Sequence, residues 1–269
     1  MGGLNLKLIL GVVLVFLLVN LGLVIIIQKL KNKVELSLEN KIMENVRKVS
    51  FYTDDEVKIV GHYYEGNKND FAFILVHMRP ATKESYQKFA RFFQEKGYTS
   101  LAIDLRGHGE SVESAKGILN YEKMLPEEEQ ASILDLEAAS KFLYKESGGV
   151  FTKEKQVIVG ASIGANLAFQ FLHDHPEVPA VVLLSPGLNY RGIVLEKYKD
   201  GINGEKIMAV FAKDDLEEAI KAYNTFKEWF PSSTLLMYDK GRHGTDILEA
   251  NPELLNKIYF WLMESLASK

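Results

Sequence analysis

The sequence predicts an α/β fold: a mostly parallel sheet covered by helices on both faces, preceded by one N-terminal transmembrane helix. Three observations lead to this prediction. From residue 71 onwards, short runs of apolar and β-branched residues alternate with longer stretches of helical periodicity. Residues 8–27 carry no charge. A turn of small residues between Gly160 and Gly164 joins a predicted strand directly to a predicted helix. Such alternation is typical of parallel sheets.

The uncharged segment 8–27 has the length and composition of a membrane span. A helix of this length is about 30 Å long, the thickness of the hydrocarbon core of a bilayer. Seventeen of its twenty residues are Leu, Ile, Val or Phe. The alternative is a cleaved signal peptide, which usually has a shorter apolar core and small residues after it. We therefore assign residues 1–28 to a membrane anchor, 29–45 to a charged linker and 46–269 to the globular domain.

Lysines flank both ends of this predicted span. Lys7 precedes it, whereas Lys29, Lys31 and Lys33 follow it. Because loops rich in Lys and Arg tend to stay in the cytoplasm, the count favours a membrane protein whose globular domain is cytoplasmic. The difference is only one or two charges once the amino terminus is included, so both orientations stay open.

Composition excludes several classes of function. The net charge is -4 with both signs interspersed, so no field of one sign exists to hold nucleic acid. The chain has no cysteine, which excludes disulfides, thiolate zinc sites and cysteine nucleophiles. His173 and His175 are two positions apart and point in different directions on a helix, so they do not form a pair of metal ligands. We expect neither a metal nor an organic cofactor.

The globular domain contains eight predicted strands. The first two, 46–53 and 57–64, form an antiparallel pair. The remaining predicted strands are 71–77, 99–104, 156–160, 181–184, 207–212 and 234–238. The predicted helices are 83–96, 126–145, 163–173, 216–229 and 245–266. In such sheets the functional site lies at the carboxyl ends of the strands.

The segment between the strands 181–184 and 207–212 is about two dozen residues long, which is too short for a large cap domain. The site is therefore expected to be open. Apolar residues of this segment form one wall of the site or, alternatively, pack against the core. They are Tyr190, Ile193, Val194 and Tyr198.

Ser162 lies at the centre of the pattern Gly-x-Ser-x-Gly, between a β-rich run and a helical run. This is the strand–turn–helix setting of a nucleophile elbow. The small residues allow the backbone to turn sharply without a clash. The helix that begins directly after the serine presents N–H groups and the positive end of its dipole to the same space. The alternative is a plain packing turn, which needs the glycines but not the serine.

A serine nucleophile needs a histidine base that is oriented by a carboxylate. His243 is the histidine that follows both the turn and a candidate acid, and it lies in a loop after the strand 234–238. The acid should follow the strand 207–212, where Asp214 and Asp215 are adjacent. Adjacent side chains point in different directions, so one of the two reaches the imidazole. The residues alone do not decide which.

Several motifs together resemble the α/β-hydrolases of the dienelactone hydrolase, acyl-esterase and serine-aminopeptidase-like group. Besides the elbow, the segment from Asp104 to Ser111 is similar to the family pattern D-x-R-G-H-G-x-S, and His77 ends a strand as in the family pattern L-x-H-G. The resemblance implies that residues 46–269 are an α/β-hydrolase catalytic domain. It also implies a G-x-x-D turn, which selects Asp215 as the acid.

The chain departs from this family at two places. Residues 78–80 read Met-Arg-Pro where the family commonly has a glycine-rich loop. Because the donor there is a backbone N–H, Met78 is still expected to form the oxyanion hole together with the N–H of Ile163. Dienelactone hydrolases carry a cysteine where this chain has Ser162, so ester or amide substrates are expected instead.

The sequence therefore predicts a membrane-anchored serine hydrolase that cleaves carboxylic esters or short acyl groups of a small molecule. Its expected triad is Ser162, His243 and Asp215, acting through an acyl-enzyme intermediate. One alternative keeps the fold for acyl transfer or peptide cleavage. Another is a membrane-tethered binding module without activity, suggested by the altered loop at Met78.

Overall fold

The computed structural model describes residues 23–24, 26–31, 33 and 46–267. Most of the predicted membrane anchor and the linker at 34–45 lie outside these residues. Within the part of the chain that is described, none of the helices combines the length and the apolar composition that crossing a membrane requires. Contacts divide the chain between Val46 and Arg47 into two units, and the second contains the folded domain.

The predicted eight-stranded sheet is confirmed, with strand order β1-β2-β4-β3-β7-β8-β11-β12. Its strands are β1 Val46–Tyr52, β2 Lys58–Tyr64, β3 Ala72–Val76, β4 Thr99–Ile103, β7 Gln156–Ala161, β8 Ala180–Leu184, β11 Ile207–Ala212 and β12 Thr234–Tyr238. Two short hairpins lie outside this sheet, formed by β5 Glu113–Ser114 with β6 Gly117–Ile118 and by β9 Asn189–Tyr190 with β10 Ile193–Val194.

Six neighbouring strands, from β4 to β12 in the sheet order, are parallel, whereas β2 runs antiparallel to β4. All residues of the five strands β3, β4, β7, β8 and β11 are buried. This burial on both faces explains why the strands are mostly apolar, with polar residues at the start of β4 (Thr99 and Ser100) and of β7 (Gln156). The helices are α1 Gln87–Glu95, α2 Pro126–Gln130, α3 Ile133–Glu146, α4 Ile163–Asp174, α5 Glu217–Trp229, α6 Asp246–Ala250 and α7 Leu254–Ala267.

The prediction of one helix over 126–145 is wrong, because α2 and α3 are separate helices. Two acidic residues that are both buried lie on either side of the break: Glu129 in α2 and Asp135 in α3. In one continuous helix, positions six apart are about 240° apart around the axis. The break allows both carboxylates to face arginines, Arg191 and Arg106 respectively.

The single helix predicted over 245–266 is also wrong. It is interrupted between α6 and α7, where residues 251 and 252 read Asn-Pro. Proline has no N–H to donate and disfavours helical geometry in the residue before it. The described residues between β8 and β11 contain only the β9–β10 hairpin and short 3₁₀ turns, in agreement with the expectation of no large cap.

Candidate active site

Ser162 lies on a sharp turn between β7 and α4, with φ of 53° and ψ of -117°. This backbone conformation is costly for a residue with a side chain and persists where the surroundings impose it. The Ser162 N–H donates to the carbonyl of Leu184 at the end of β8, at 2.9 Å. A Cβ at Gly160 would lie 2.1 Å from the backbone oxygen of Gly164, so the two sides of the turn need glycine to approach each other.

Gly164 also brings the elbow against the neighbouring strand. A Cβ on this residue would lie 2.3 Å from the carbonyl oxygen of Val76 and 2.7 Å from that of His77. The first turn of α4 therefore packs on the carboxyl end of β3, immediately before Met78. The N–H of Ile163 belongs to the first turn of α4, where backbone donors have no partner within the helix. The two residues predicted to supply oxyanion donors thus lie at the same edge of the sheet.

His77 fixes the loop that carries Met78. Its Nδ1 donates to the carbonyl oxygen of Met78 at 2.9 Å, and its Nε2 accepts from the N–H of Leu105 at 2.9 Å. Because one ring nitrogen donates and the other accepts, the ring is neutral. Complete burial lowers the pKa of His77 to about 4, so the ring stays neutral at physiological pH.

His243 contacts Asp215, at 2.5 Å between Nδ1 and Oδ1. The Asp215 side chain is fully buried, whereas that of His243 is 20% exposed. The same Oδ1 accepts from the N–H of Leu216 at 2.6 Å. Asp215 follows β11 and His243 follows β12, so neighbouring parallel strands bring the pair to the carboxyl edge of the sheet. A buried carboxylate on Nδ1 orients the imidazole and stabilises its protonated form.

Asp214, the other candidate acid, has a different position. Its Oδ1 accepts from the N–H of Gly241 at 2.8 Å and from that of Arg242 at 3.0 Å. These two residues immediately precede His243 in the chain. The adjacent aspartates therefore have separate contacts, one with the imidazole and one with the backbone of the loop that carries it.

Ser185 also contacts this pair and is not among the site residues predicted from the sequence. Its hydroxyl donates to Asp215 Oδ2 at 2.5 Å and accepts from the N–H of Gly244 at 2.8 Å. Ser185 is fully buried at the end of β8 and has a positive φ of 52°. The available sequence signal is weak: a serine followed by Pro-Gly at the carboxyl end of a predicted strand.

Tyr190 lies beside Ser162. Burial and then the negative charge of Asp215 raise the pKa of Tyr190 well above its ordinary value, and contact with the Ser162 side chain opposes this rise.

The other residues predicted to form a wall of the site have different surroundings. Ile193 is buried in the core, and Tyr198 packs on His173 with ring centroids 5.5 Å apart.

The motif from Asp104 to Ser111 holds its own loop in place. Asp104 is fully buried and accepts from the Lys83 N–H and ammonium, both at 2.8 Å. Arg106 donates through its backbone N–H and its Nε to the buried carboxylate of Asp135, both at 2.8 Å. The Ser111 hydroxyl donates to the carbonyl oxygen of Asp104 at 2.8 Å. These side chains stabilise a loop at the carboxyl edge of the sheet.

His108 belongs to the same loop. It stacks on Tyr121 with ring centroids 4.2 Å apart, and its Nδ1 lies 3.1 Å from the carbonyl oxygen of Arg106. Burial lowers the pKa of His108 to about 4. Within the described residues, no group of three or more His, Cys, Asp or Glu side chains is placed to hold a metal ion.

Comparison with known proteins gives a family. Residues 67–215, more than half of the chain, match the family described as serine aminopeptidase, S33. No curated protein matches the chain. Many solved structures do. The esterase Pf2001 of Pyrococcus furiosus is 22% identical with a TM-score of 0.65, over 82% of this chain and 93% of its own.

Two further structures have the same architecture. A predicted CIB-like hydrolase of Thermoplasma acidophilum is 17% identical with a TM-score of 0.60, over 81% of this chain and 98% of its own. A membrane phospholipase A, described as a bacterial virulence factor, is 14% identical with a TM-score of 0.61, over 96% of this chain and 98% of its own. At such identities the likeness shows the fold.

Proposed function

The chain belongs to the serine aminopeptidase S33 family of α/β-hydrolases, and from this membership we propose that it is a serine hydrolase of carboxylic esters. Ser162 is the nucleophile, His243 the base and Asp215 the residue that orients it. The observation that carries the proposal is the 2.5 Å contact between His243 and the buried Asp215 carboxylate, at the sheet edge where Ser162 is held in a strained turn.

In the proposed reaction the Ser162 Oγ attacks the ester carbonyl carbon while His243 Nε2 takes its proton. The oxyanion of the tetrahedral intermediate accepts hydrogen bonds from the N–H groups of Met78 and Ile163. When the C–O bond breaks, the imidazolium returns the proton to the leaving alcohol. Water then attacks the acyl-enzyme by the same route, with His243 again as the base.

Ester substrates are proposed because the named structural neighbours include an esterase and a phospholipase A. The family name supports a second candidate, cleavage of an amide at a peptide terminus. Acyl transfer to an alcohol or amine would proceed through the same acyl-enzyme. Product analysis with added alcohols, amines and short peptides separates these reactions from hydrolysis.

The test of the nucleophile is labelling of the full-length chain with a fluorophosphonate probe, with the adduct located by mass spectrometry. We expect the label on Ser162, its absence in Ser162→Ala and strong weakening in His243→Ala. His173→Ala is the matched control, because His173 pairs with Asp174 at the end of α4, and it should label like the wild type. Loss of either triad residue should lower kcat by about 10⁶-fold. A folded wild-type chain that takes no label would refute the proposal and favour a binding module.

We further propose that residues 1–28 anchor the enzyme in a membrane, with the lysine count favouring a catalytic domain on the cytoplasmic side. The supporting features are the uncharged segment 8–27 and the lysines that follow it, Lys29, Lys31 and Lys33. The full-length chain should stay in the membrane fraction after alkaline carbonate extraction, and a chain without residues 1–28 should not. In sealed vesicles of known orientation, protease protection of the catalytic domain reports its side. Release of the full-length chain by carbonate would contradict the anchor.

A further inference from the structure

A small hairpin places Tyr190 beside Ser162. It consists of β9 and β10, joined by Arg191 and Gly192, which both have positive φ, 53° and 84°. Such a two-residue turn matches the twist of the flanking strands. The segment that carries the tyrosine is therefore a regular hairpin.

Asn166 joins this hairpin to the elbow helix. It is fully buried, one turn after Ser162 in α4, and its Nδ2 donates to the carbonyl oxygens of Gly187 at 2.8 Å and Ile193 at 2.9 Å. These two residues lie on either side of the hairpin turn. The helix that positions the nucleophile thus also positions the segment that carries Tyr190.

The Tyr190 ring fits into a narrow space at the site. A Cβ on Gly187 would lie 2.4 Å from the tyrosine Cζ, so a side chain at this position would displace the ring. The ring stands edge-on to His243, with centroids 6.0 Å apart and an interplanar angle of 86°. Its hydroxyl is buried beside Ser162 and has no hydrogen-bond partner of good geometry among the described residues. A buried hydroxyl without a partner is costly. Because this one lies beside the Ser162 and His243 side chains, it is placed to donate to an atom of the substrate.

We propose that the Tyr190 hydroxyl is a hydrogen-bond donor of the catalytic site that binds the leaving-group oxygen of the substrate. This inference rests on the proposed function, since it assigns a role in the cleavage reaction. The consequence is a substrate class: Tyr190 favours esters of unactivated alcohols, whose oxygen needs stabilisation as the C–O bond breaks.

The leaving oxygen is the acceptor that this position fits. It receives its proton from His243 Nε2, and its bond breaks from the carbon that Ser162 has attacked, so it must lie near both side chains. Tyr190 contacts those two side chains. The proposed oxyanion donors are backbone N–H groups of Met78 and Ile163, which come from other elements.

The proton balance makes Tyr190 a donor and not a base. Burial and the charge of Asp215 keep its hydroxyl protonated throughout the physiological pH range. The proton that neutralises the leaving alkoxide comes from His243, and Tyr190 keeps its own proton. Its hydrogen bond strengthens as negative charge develops on the oxygen and needs no co-reactant.

The test compares Tyr190→Phe with the wild type, both full-length, on acetate esters of p-nitrophenol, benzyl alcohol and ethanol. The measured quantity is kcat/KM, which reports the acylation step in which the alcohol leaves. We expect a loss of about ten- to a hundredfold on the two alkyl esters, and a much smaller loss on the p-nitrophenyl ester, whose leaving group needs little help. The phenylalanine keeps the ring and its packing.

Tyr223→Phe is the matched control. Tyr223 is half-buried on α5 and packs edge-on against Phe211, with ring centroids 5.4 Å apart. This control should leave all three rates unchanged. An equal loss in Tyr190→Phe on all three esters, or no loss on any, would overturn the role of Tyr190. A wild-type chain that neither hydrolyses the esters nor takes the fluorophosphonate label would overturn the proposed function, and the role of Tyr190 with it.

Discussion

Replacing Ser185 with alanine tests whether the support beneath His243 matters for turnover. The Ser185 hydroxyl bonds to Asp215 Oδ2 at 2.5 Å and to the Gly244 N–H at 2.8 Å. Ser185→Ala removes both bonds, while Asp215 Oδ1 keeps its contacts with His243 and Leu216. The carboxylate therefore stays next to the imidazole, but its second oxygen loses the serine donor and the loop after His243 loses an anchor.

The expected magnitude follows from burial. The Ser185 residue and the Asp215 side chain are both 0% exposed, so water does not replace the missing hydroxyl without rearrangement. A hydrogen bond to a charged group contributes about 1.5–3 kcal/mol. If this is lost in the transition state, kcat falls by about ten- to a hundredfold, at about 1.4 kcal/mol for each factor of ten. KM should change little, because the hydroxyl bonds to Asp215 and Gly244 and not to the proposed substrate.

The assay is steady-state ester hydrolysis by the full-length chain, combined with urea unfolding of each variant. Ser185→Gly removes the same hydroxyl but relieves the positive φ of 52°, so it separates loss of the hydrogen bonds from backbone strain. Ser100→Ala is the matched control, because the buried Ser100 hydroxyl in β4 has no partner among the described residues. Removing it should leave kcat unchanged and raise the unfolding free energy or leave it equal.

The decisive comparison is kcat in the two Ser185 variants. If both retain kcat within about twofold of the wild type, the bonds to Asp215 and Gly244 are irrelevant to catalysis, and the argument from geometry fails. If only Ser185→Ala is impaired, the hydroxyl acts by holding the strained backbone in place and not through the Asp215 carboxylate. A fall in both, with Ser100→Ala unaffected, supports a positioning role for Ser185.

Three further predictions concern the surroundings of the proposed triad. Gly164→Ala, whose Cβ would lie 2.3 Å from the Val76 carbonyl oxygen, should lower the unfolding free energy by about 1–3 kcal/mol and weaken fluorophosphonate labelling; an unaffected variant would show that the elbow tolerates a shift. Asp214→Ala should lower kcat by about tenfold, against about 10⁴-fold for Asp215→Ala, and equal losses would contradict the separate roles. Because the folded-state pKa of His108 lies near 4, below its ordinary 6.5, stability is present above pH 6.5 and is lost as pH falls towards 4. The unfolding free energy, measured by urea titration, should fall by about 2 kcal/mol less between pH 7 and pH 5 in His108→Phe than in the wild type. An equal fall in both proteins would refute the lowered pKa of His108.

The sheet was predictable because each of its strands is marked locally. The buried strands are mostly apolar runs, and the turn at Ser162 follows directly from small residues between a strand and a helix. The break before α7 was also readable, since Pro252 interrupts the helical pattern. The break between α2 and α3 was not, because Ala131 and Ser132 give no local signal and the cause is tertiary: the buried Glu129 and Asp135 carboxylates pair with different arginines.

The candidate site was predictable to the extent that its residues belong to motifs. Ser162 and His243 were proposed from element order, whereas the preference for Asp215 over Asp214 came from family resemblance. Ser185 lies outside any motif, and its partners are 30 and 59 positions away in the chain. Such a contact depends on how strand ends meet in three dimensions, which a single sequence does not show.

The contacts of the histidines give a reason for His243 as the base that is independent of motif order. A general base must carry a proton during the reaction, so its charged form needs a partner. His77 uses both ring nitrogens in neutral hydrogen bonds, and burial lowers its pKa to about 4. His108 is likewise buried, with a lowered pKa and a carbonyl on Nδ1. Of these three histidines at the carboxyl edge of the sheet, His243 is the one whose ring contacts a carboxylate, that of Asp215. It is also partly exposed. The contacts of His77 and His108 therefore disfavour a protonated ring, whereas His243 has the carboxylate partner that a general base requires.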